Sequence, residues 1–566
     1  MERSLYFSDT IMEDFSSTSS PITIGEHLRF LLPRLANVRQ RHSPVWPADV
    51  FAVAMSLIQK SGIYTLILNE WPPTADSGET TEEWATKMER LGKRWREYAG
   101  RDEPRAPTIV TKHWRLLMQA SSRGLDHFRK DRALAHVLFE LAAMADEASA
   151  GVGLPRSPSG ALKFGNFYRR ARRQLLPTYN GSSLCIEIDR TRLRVLPKMH
   201  APNKGLTIRS LSHHLALCAG DEICPFWETS IAYSANRESL NLLVIPWPET
   251  IRPVQFKRVP RNKSGMRNMP NDFGFFEFLP ETNRGEDGNI DSESFVAHIE
   301  QLYREATAML GRIDGIVFPE LALIPEQFDA LREAEFTQKI FLVSGIAKTP
   351  DADNPFSANE LYCDIPNRER MFQSKHHRWK LDSGQIRQYG LGSLLSPERS
   401  WWEHISVDNR KLNFVSLLPW LVMSVVICED LARPDPVGDL LRAVGPNLVI
   451  ALLMDGPQLK ERWSARYATT LAEDPGSSVL SLTSAGMSKL SRPSSGANRN
   501  KVIGLWKDAH SSTPVEIELP EGCGAVVLSL SVRWMDEWTA DGREDRGATG
   551  YPLLSGIHGV KKASNF

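Results

Sequence analysis

From about residue 236 to 535, short apolar runs alternate with segments of helical periodicity, and this alternation restricts the chain more than any other feature. "LNLLVIPWP", "DGIVFPELAL", "KIFLVSGIA", "LVMSVVIC", "PNLVIALLM", "SSVLSLTSAG" and "GCGAVVLSLSV" read as buried strands. Between them, "SESFVAHIEQLYREATAML", "IPEQFDALREAEF", "PVGDLLRAVG" and "QLKERWSARYATTLAEDP" repeat apolar residues at the spacing of a helix with one buried face. Ser292 or Ser294, with acids nearby, suits the capped start of the first of these helices. "FGFFEFLPE" is a further strand, and "NELYCDI" with "RERMFQSK" reads as a hairpin. Strands alternating with helices and mixed with hairpins predict a layered α/β domain over 236–535.

The preceding residues have a different texture. "DVFAVAMSLIQKSG" and "LAHVLFELAAMADEAS" are helical, and the connector "PPTADSGETTEE" offers Thr and Glu for a helix start. Residues 1–235 are therefore expected to form a mainly helical N-terminal domain of unknown role. Residues 536–566 are expected to be a polar, loose tail. A length of 566 residues suits two or three domains.

Composition excludes several classes. Formal net charge is zero, so no global attraction to polyanions is implied. Six cysteines without a CxxC pair do not make a disulfide framework and read as thiols in a reducing cytosol. Cys218 and Cys224 lie near His213 and His214, but at a spacing that matches no common zinc module, so no metal or cofactor is expected. The N-terminus is acidic and lacks the apolar core of a signal peptide. The longest apolar run, "FVSLLPWLVMSVVIC", is too short to span a bilayer and contains Pro419. A cytoplasmic protein without a membrane partner is expected.

Three predicted strand ends carry reactive groups: Glu320 in "GIVFPELAL", Lys375 in "RERMFQSKHHRWK" and Cys428 in "VVICEDLA". Chemistry in α/β sheets gathers at such ends. A thiolate is a nucleophile, and a carboxylate that accepts the thiol proton acts as general base. A lysine ammonium beside the thiol would hold it ionised and donate to the oxyanion formed on a carbonyl. The backbone N–H of Glu429 is a natural second donor. Glu429 and Asp430 would raise the thiol's pKa if they faced it, so the reading requires both carboxylates to point away, with Lys375 closest to the sulfur.

The order Glu, Lys, Cys in "FPELAL", "SKHH" and "ICEDLARPDP" resembles the nitrilase, or carbon–nitrogen hydrolase, superfamily. "LLRAVGPNLVIALLM" and "RWSARYATTLAEDPGSSVLSLTSAG" extend the resemblance over roughly 240–535. It implies an αββα four-layer sandwich that pairs into a homo-dimer or higher oligomer. It also implies hydrolysis of a small amide, or less often a nitrile, through a thioester or thioimidate. By the same resemblance Glu320 is the base, Lys375 the oxyanion-stabilising lysine with Lys380 as rival, and Cys428 the nucleophile. Many members carry a second glutamate shortly after the lysine. "KHHRWKLDSGQIRQYGLG" has none, and Gln385 or Asp382 stands nearest. The lysine-to-cysteine segment is long, and its extra residues, about 384–412 with "LLSPERSWWEH", read as a lid or partner surface. Gln385, His376 and Asp455 are candidates for the substrate pocket, to which His376 and His377 could add acid–base groups.

Basic residues cluster twice. From Lys163 to Arg209 there are eleven Lys or Arg against Glu187 and Asp189, with four arginines between Arg169 and Arg173. From Arg252 to Arg267 there are six basic residues and no acid. Phosphate contact, and so a nucleic-acid partner, is one reading. A surface paired with the acidic "DEWTADGRED" is the other. The missing second glutamate leaves an alternative function: a binding or regulatory protein of altered chemistry, as in a bacterial defence system.

Overall fold

The computed structural model describes residues 23–33, 44–68, 78–155, 182–202, 205–220, 223–230, 237–261, 270–280, 291–350, 356–492, 500–545 and 549–562. Arg169 to Arg173 lie outside them.

Helices α1 (Ile24–Leu31), α2 (Pro47–Ser61), α3 (Thr81–Ala99), α4 (Thr108–Gln119), α5 (His127–Lys130) and α6 (Arg132–Ala148) surround one apolar cluster. The sequence of α2 is apolar on nearly every side, so it lies at the centre, with Val50, Phe51, Val53, Leu57 and Ile58 sealed from solvent. Trp84 and Trp95 of α3 and Trp114 of α4 pack into the same cluster. Thr80 caps α3: its hydroxyl accepts from the Glu83 N–H, and the Glu83 carboxylate accepts from the Thr80 N–H.

The strands are β1 (Leu193–Pro197), β2 (Leu215–Ala219), β3 (Cys224–Thr229), β4 (Ser239–Val244), β5 (Phe256–Val259), β6 (Phe273–Phe278), β7 (Gly315–Val317), β8 (Phe341–Lys348), β9 (Ala358–Asp364) and β10 (Met371–Ser374). They continue with β11 (Lys380–Leu381), β12 (Ser400–Glu403), β13 (Lys411–Leu418), β14 (Leu421–Ile427), β15 (Leu448–Leu453), β16 (Ser478–Thr483), β17 (Val502–Lys507), β18 (Val515–Glu518), β19 (Cys523–Met535) and β20 (Thr549–Lys561). Two seven-stranded sheets result, in the orders β10-β9-β8-β7-β4-β19-β20 and β18-β17-β16-β15-β14-β13-β3. Their central strands β4, β7, β8 and β14, β15, β16 run parallel. Every residue of β14 and β15 is buried, which explains their unbroken apolar runs.

The sheets meet through Leu242, Val317 and Val343 on one side and Val422, Ile450 and Leu480 on the other. Helices α7 (Ser292–Leu310) and α8 (Pro325–Glu333) cover the first sheet with Ile299, Leu302, Phe328 and Leu331. Further along lie α9 (Ser383–Gln388), α10 (Asp439–Val444), α11 (Trp463–Glu473) and α12 (Ala485–Leu490). Leu440, Leu441, Ala468 and Leu471 of α10 and α11 cover the second sheet. The layers are thus α, β, β, α, the mixed α/β sandwich expected. A third sheet, β11-β12-β6-β5, packs beside it through Phe256, Phe276 and Trp401.

Three expectations change. The cap of α7 is Asp291, whose carboxylate accepts from the Ser294 N–H, not Ser292 or Ser294. β3 precedes residue 236, yet it pairs parallel with β13 at the edge of the second sheet. The tail expected to be loose instead forms β20, antiparallel to β19 along its length. Ahead of β20, the Arg543 guanidinium is fully buried and binds Asp146 (2.9 Å), Glu147 (2.8 Å) and Asp541 (3.1 Å). Asp146 also accepts from the backbone N–H groups of His213, His214 and Leu215. The helical region and the sandwich are therefore joined by a buried ionic network. No helix among the described residues is long and apolar enough to cross a membrane.

Candidate active site

Four strand ends converge between the large sheets and the small one. Glu320 follows β7, where Gly345 of β8 accommodates the turn: a Cβ on Gly345 would lie 2.5 Å from the Glu320 Cα. Lys375 directly follows β10, and its N–H donates to the Asn359 carbonyl of β9 (2.9 Å). Cys428 directly follows β14 and opens a 3₁₀ turn, Cys428–Leu431. Its φ of +48° is a left-handed conformation that costs a non-glycine residue about 1–2 kcal/mol. Such strain persists only where the surroundings fix it, commonly at functional sites. The fourth end is Glu403, the last residue of β12.

Glu403 is the residue that the sequence reading missed. Lys375 Nζ donates to Glu320 Oε1 (2.8 Å) and to Glu403 Oε2 (2.7 Å). Asn359 Nδ2 spans the same pair, donating to Glu320 Oε1 (2.7 Å) and Glu403 Oε1 (2.8 Å). The Met454 N–H donates to Glu320 Oε2 (2.6 Å), and the Trp379 N–H to Glu403 Oε2 (3.1 Å). Lys375, Glu320, Glu403 and Cys428 are all buried. Gln385 and Asp382 stand nearest to where a second glutamate is expected after Lys375. Those two instead cap α9, each accepting from the other's backbone N–H. The glutamate that joins Glu320 at the lysine stands at position 403, 28 residues beyond Lys375. Lys380 lies over the Trp402 ring, 5.4 Å from its centroid, and takes no part.

The electrostatics reverse one expectation. Burial pushes the Cys428 thiol well above its ordinary pKa, and the Glu320 carboxylate adds to this more than the Lys375 ammonium offsets it. The ammonium does not hold the thiol ionised because it is already clamped by two carboxylates. Burial opposes the charge on Lys375, but Glu320, then Glu403, then Cys428 hold its pKa well above normal. Burial raises Glu320, which Lys375 opposes and Glu403 reinforces. At rest the sulfur keeps its proton, with a carboxylate of raised basicity beside it.

Glu429 pairs with Arg433. Asp430 faces the residues after Lys375: it accepts from His376 Nδ1 (3.0 Å), His377 Nδ1 (2.9 Å) and both of their backbone N–H groups. It therefore braces the lysine loop against the nucleophile turn, rather than the turn that follows it. Asp455, after β15, has its oxygens occupied by Tyr389 Oη, Gly456 N–H, Arg462 and Trp463 Nε1. It still acts on the thiol as a further raising charge. His376 and Asp455 thus brace the site. Among the described residues no group of three or more His, Cys, Asp or Glu side chains is placed to hold a metal ion.

No family model matches the chain, and no curated protein does. Solved structures do. Nit3 of Saccharomyces cerevisiae, a member of branch 10 of the nitrilase superfamily, is similar at 12% identity over 54% of this chain and 93% of its own, with a TM-score of 0.32. An amidase from Nesterenkonia sp. gives 12% identity, 53% and 94% coverage and a TM-score of 0.29. A carbon–nitrogen hydrolase from Helicobacter pylori G27 gives 10%, 50%, 86% and 0.28. Each of these matches spans about half of this chain.

Proposed function

We propose that the chain hydrolyses a nonpeptide carbon–nitrogen bond, that of a small amide in preference to a nitrile, through a thioester on Cys428. The observation that supports this most is the lysine held between two buried glutamates beside a cysteine on a strained turn. Glu320 takes the thiol proton as sulfur attacks the carbonyl carbon. An ammonium has three donors, and Glu320 and Glu403 engage two of them. The third, with the Glu429 N–H that opens the 3₁₀ turn, is suited to the oxyanion. On collapse, Glu320 returns its proton to the departing nitrogen, and ammonia or an amine leaves. Glu320 then activates a water that cleaves the thioester, giving the carboxylic acid and the free thiol.

Glu403 supports this reading over the altered, noncatalytic one, which the lack of a second glutamate just after Lys375 favours. Incubation with a panel of small amides and nitriles, followed by intact-mass measurement and an ammonia assay, tests the proposal. A covalent acyl adduct and released ammonia are expected from the wild type, and neither from Cys428→Ala. No adduct and no ammonia across the panel would overturn it.

A further inference from the structure

Asn359 completes the ring of hydrogen bonds around Lys375, and one atom of its side chain is left over. It stands in β9 and is 1% exposed. Both hydrogens of Nδ2 are spent, one on Glu320 Oε1 (2.7 Å) and one on Glu403 Oε1 (2.8 Å). Chemistry dictates this orientation: a carboxylate only accepts, so the atom set between two carboxylates is the nitrogen. Oδ1 is then the other arm of the same carboxamide. It is buried and meets no donor among the described residues. Buried acceptors are nearly always paired, and an unpaired one at a reactive cluster calls for a partner that arrives from outside. Turning the amide over offers no remedy, because it would set Oδ1 against Glu320 and Glu403.

An amide substrate brings the missing donor. Glu320 Oε1 accepts from both Asn359 and Lys375, so a nitrogen that reaches the proton held by Glu320 arrives beside the Asn359 carboxamide. After sulfur has added to the carbonyl carbon, the C–N bond breaks as Glu320 passes the thiol proton to nitrogen. A primary or secondary amide nitrogen also carries an N–H of its own. Holding that N–H on Oδ1 turns the nitrogen lone pair toward the incoming proton and fixes the leaving group. An ester oxygen has no such hydrogen and would set its lone pairs against those of Oδ1.

We infer that Asn359 Oδ1 accepts a hydrogen bond from the departing nitrogen of the substrate. Asn359 thereby selects primary and secondary amides over esters and over amides without an N–H. This rests on the hydrolytic reading given above and adds to it a specificity residue that touches the leaving group.

Steady-state kinetics with an N-methylamide and the methyl ester of the same acyl group test it, because the two substrates differ only in N–H against O. The acyl group is the one that acylates Cys428 fastest in the amide panel. Asn359→Ala loses the donors to both glutamates and slows both substrates. The loss of Oδ1 falls on the amide alone, so the amide-to-ester ratio of kcat/KM is expected to drop about tenfold, the worth of one hydrogen bond. Asn359→Asp keeps an oxygen in place of Oδ1 and is expected to slow both substrates while preserving the ratio. Thermal midpoints report whether the variants fold. A further comparison needs no variant: the wild type is expected to hydrolyse the N,N-dimethylamide at least about tenfold more slowly than the N-methylamide. An unchanged ratio in a folded Asn359→Ala, or equal rates on the two amides, would overturn the inference while leaving amide hydrolysis standing. Hydrolysis of neither amide nor ester by the wild type would overturn both.

Discussion

Glu403→Gln removes one charge from the centre of the site and nearly nothing else. The carboxylate receives three donors: Lys375 Nζ and the Trp379 N–H at Oε2, and Asn359 Nδ2 at Oε1. A glutamine has one acceptor oxygen. Turned toward Lys375 and Trp379, it keeps both bonds in neutral form but sets its NH₂ against that of Asn359. Asn359 cannot flip to help, because Nδ2 also serves Glu320 and the flip would turn Oδ1 toward that carboxylate. One weakened charge-assisted bond plus one buried donor left unpaired amounts to roughly 2–4 kcal/mol. In activity, a loosened Lys375 is expected to cost about 10²-fold in kcat/KM, the usual penalty for a misplacement of about 1 Å. The pH profile adds a signed test. Glu403 helps to raise the pKa of Glu320, so its removal lowers that pKa, and the acid limb of the rate profile moves to lower pH. Steady-state kinetics against pH, with denaturant unfolding alongside, reads all three effects. Wild-type kcat/KM together with an unmoved acid limb would refute the assignment of Glu403.

Other perturbations probe the supports of the site. Gly345→Ala forces a methyl group onto the backbone of Glu320 and is expected to cost about 1–3 kcal/mol and to lower turnover, measured by unfolding and by rate. Asp430→Asn sets an NH₂ against the histidine donors and is expected to cost about 1–3 kcal/mol while slowing acylation of Cys428, read by intact mass over time. Arg543→Met strands buried carboxylates and is expected to destabilise the fold by about 3–5 kcal/mol in denaturant. The same network sets an acid transition. Burial would raise Asp146, but Arg543 and nearby histidines bring its pKa from 3.8 down to about 2. A carboxylate depressed in the fold stabilises above its ordinary pKa, and that stability is lost as pH falls from about 4 to about 2. In Arg543→Met the lowering charge is gone, so acid unfolding followed by circular dichroism should begin at higher pH.

The central strands were legible because burial on both faces leaves an uninterrupted apolar run, and β14 and β15 are such runs. Glu320 and Cys428 stand where such runs stop, and Lys375 directly follows the short hairpin strand β10, so position along a strand exposed them. Glu403 had no such signal. It lies 28 residues beyond Lys375, inside "SWWEH", where two tryptophans suggest a surface or a lid and the short strand β12 has only four residues. Its role arises from the parallel pairing of β12 with β6, a nonlocal contact that the local pattern does not encode. β20 was missed for a related reason: "TGYPLLSGIHGVK" contains Pro552 and three glycines, which weaken a strand's own propensity, and pairing with β19 overrides it.

Asp146 and Arg543 are 397 residues apart in the chain. On a ribosome adding about 5–20 residues per second, that separation corresponds to roughly 20–80 s. Throughout this interval the nascent helical region holds a carboxylate whose counter-ion has not yet been made. The part of the protein synthesised first is thus among the last to be completed.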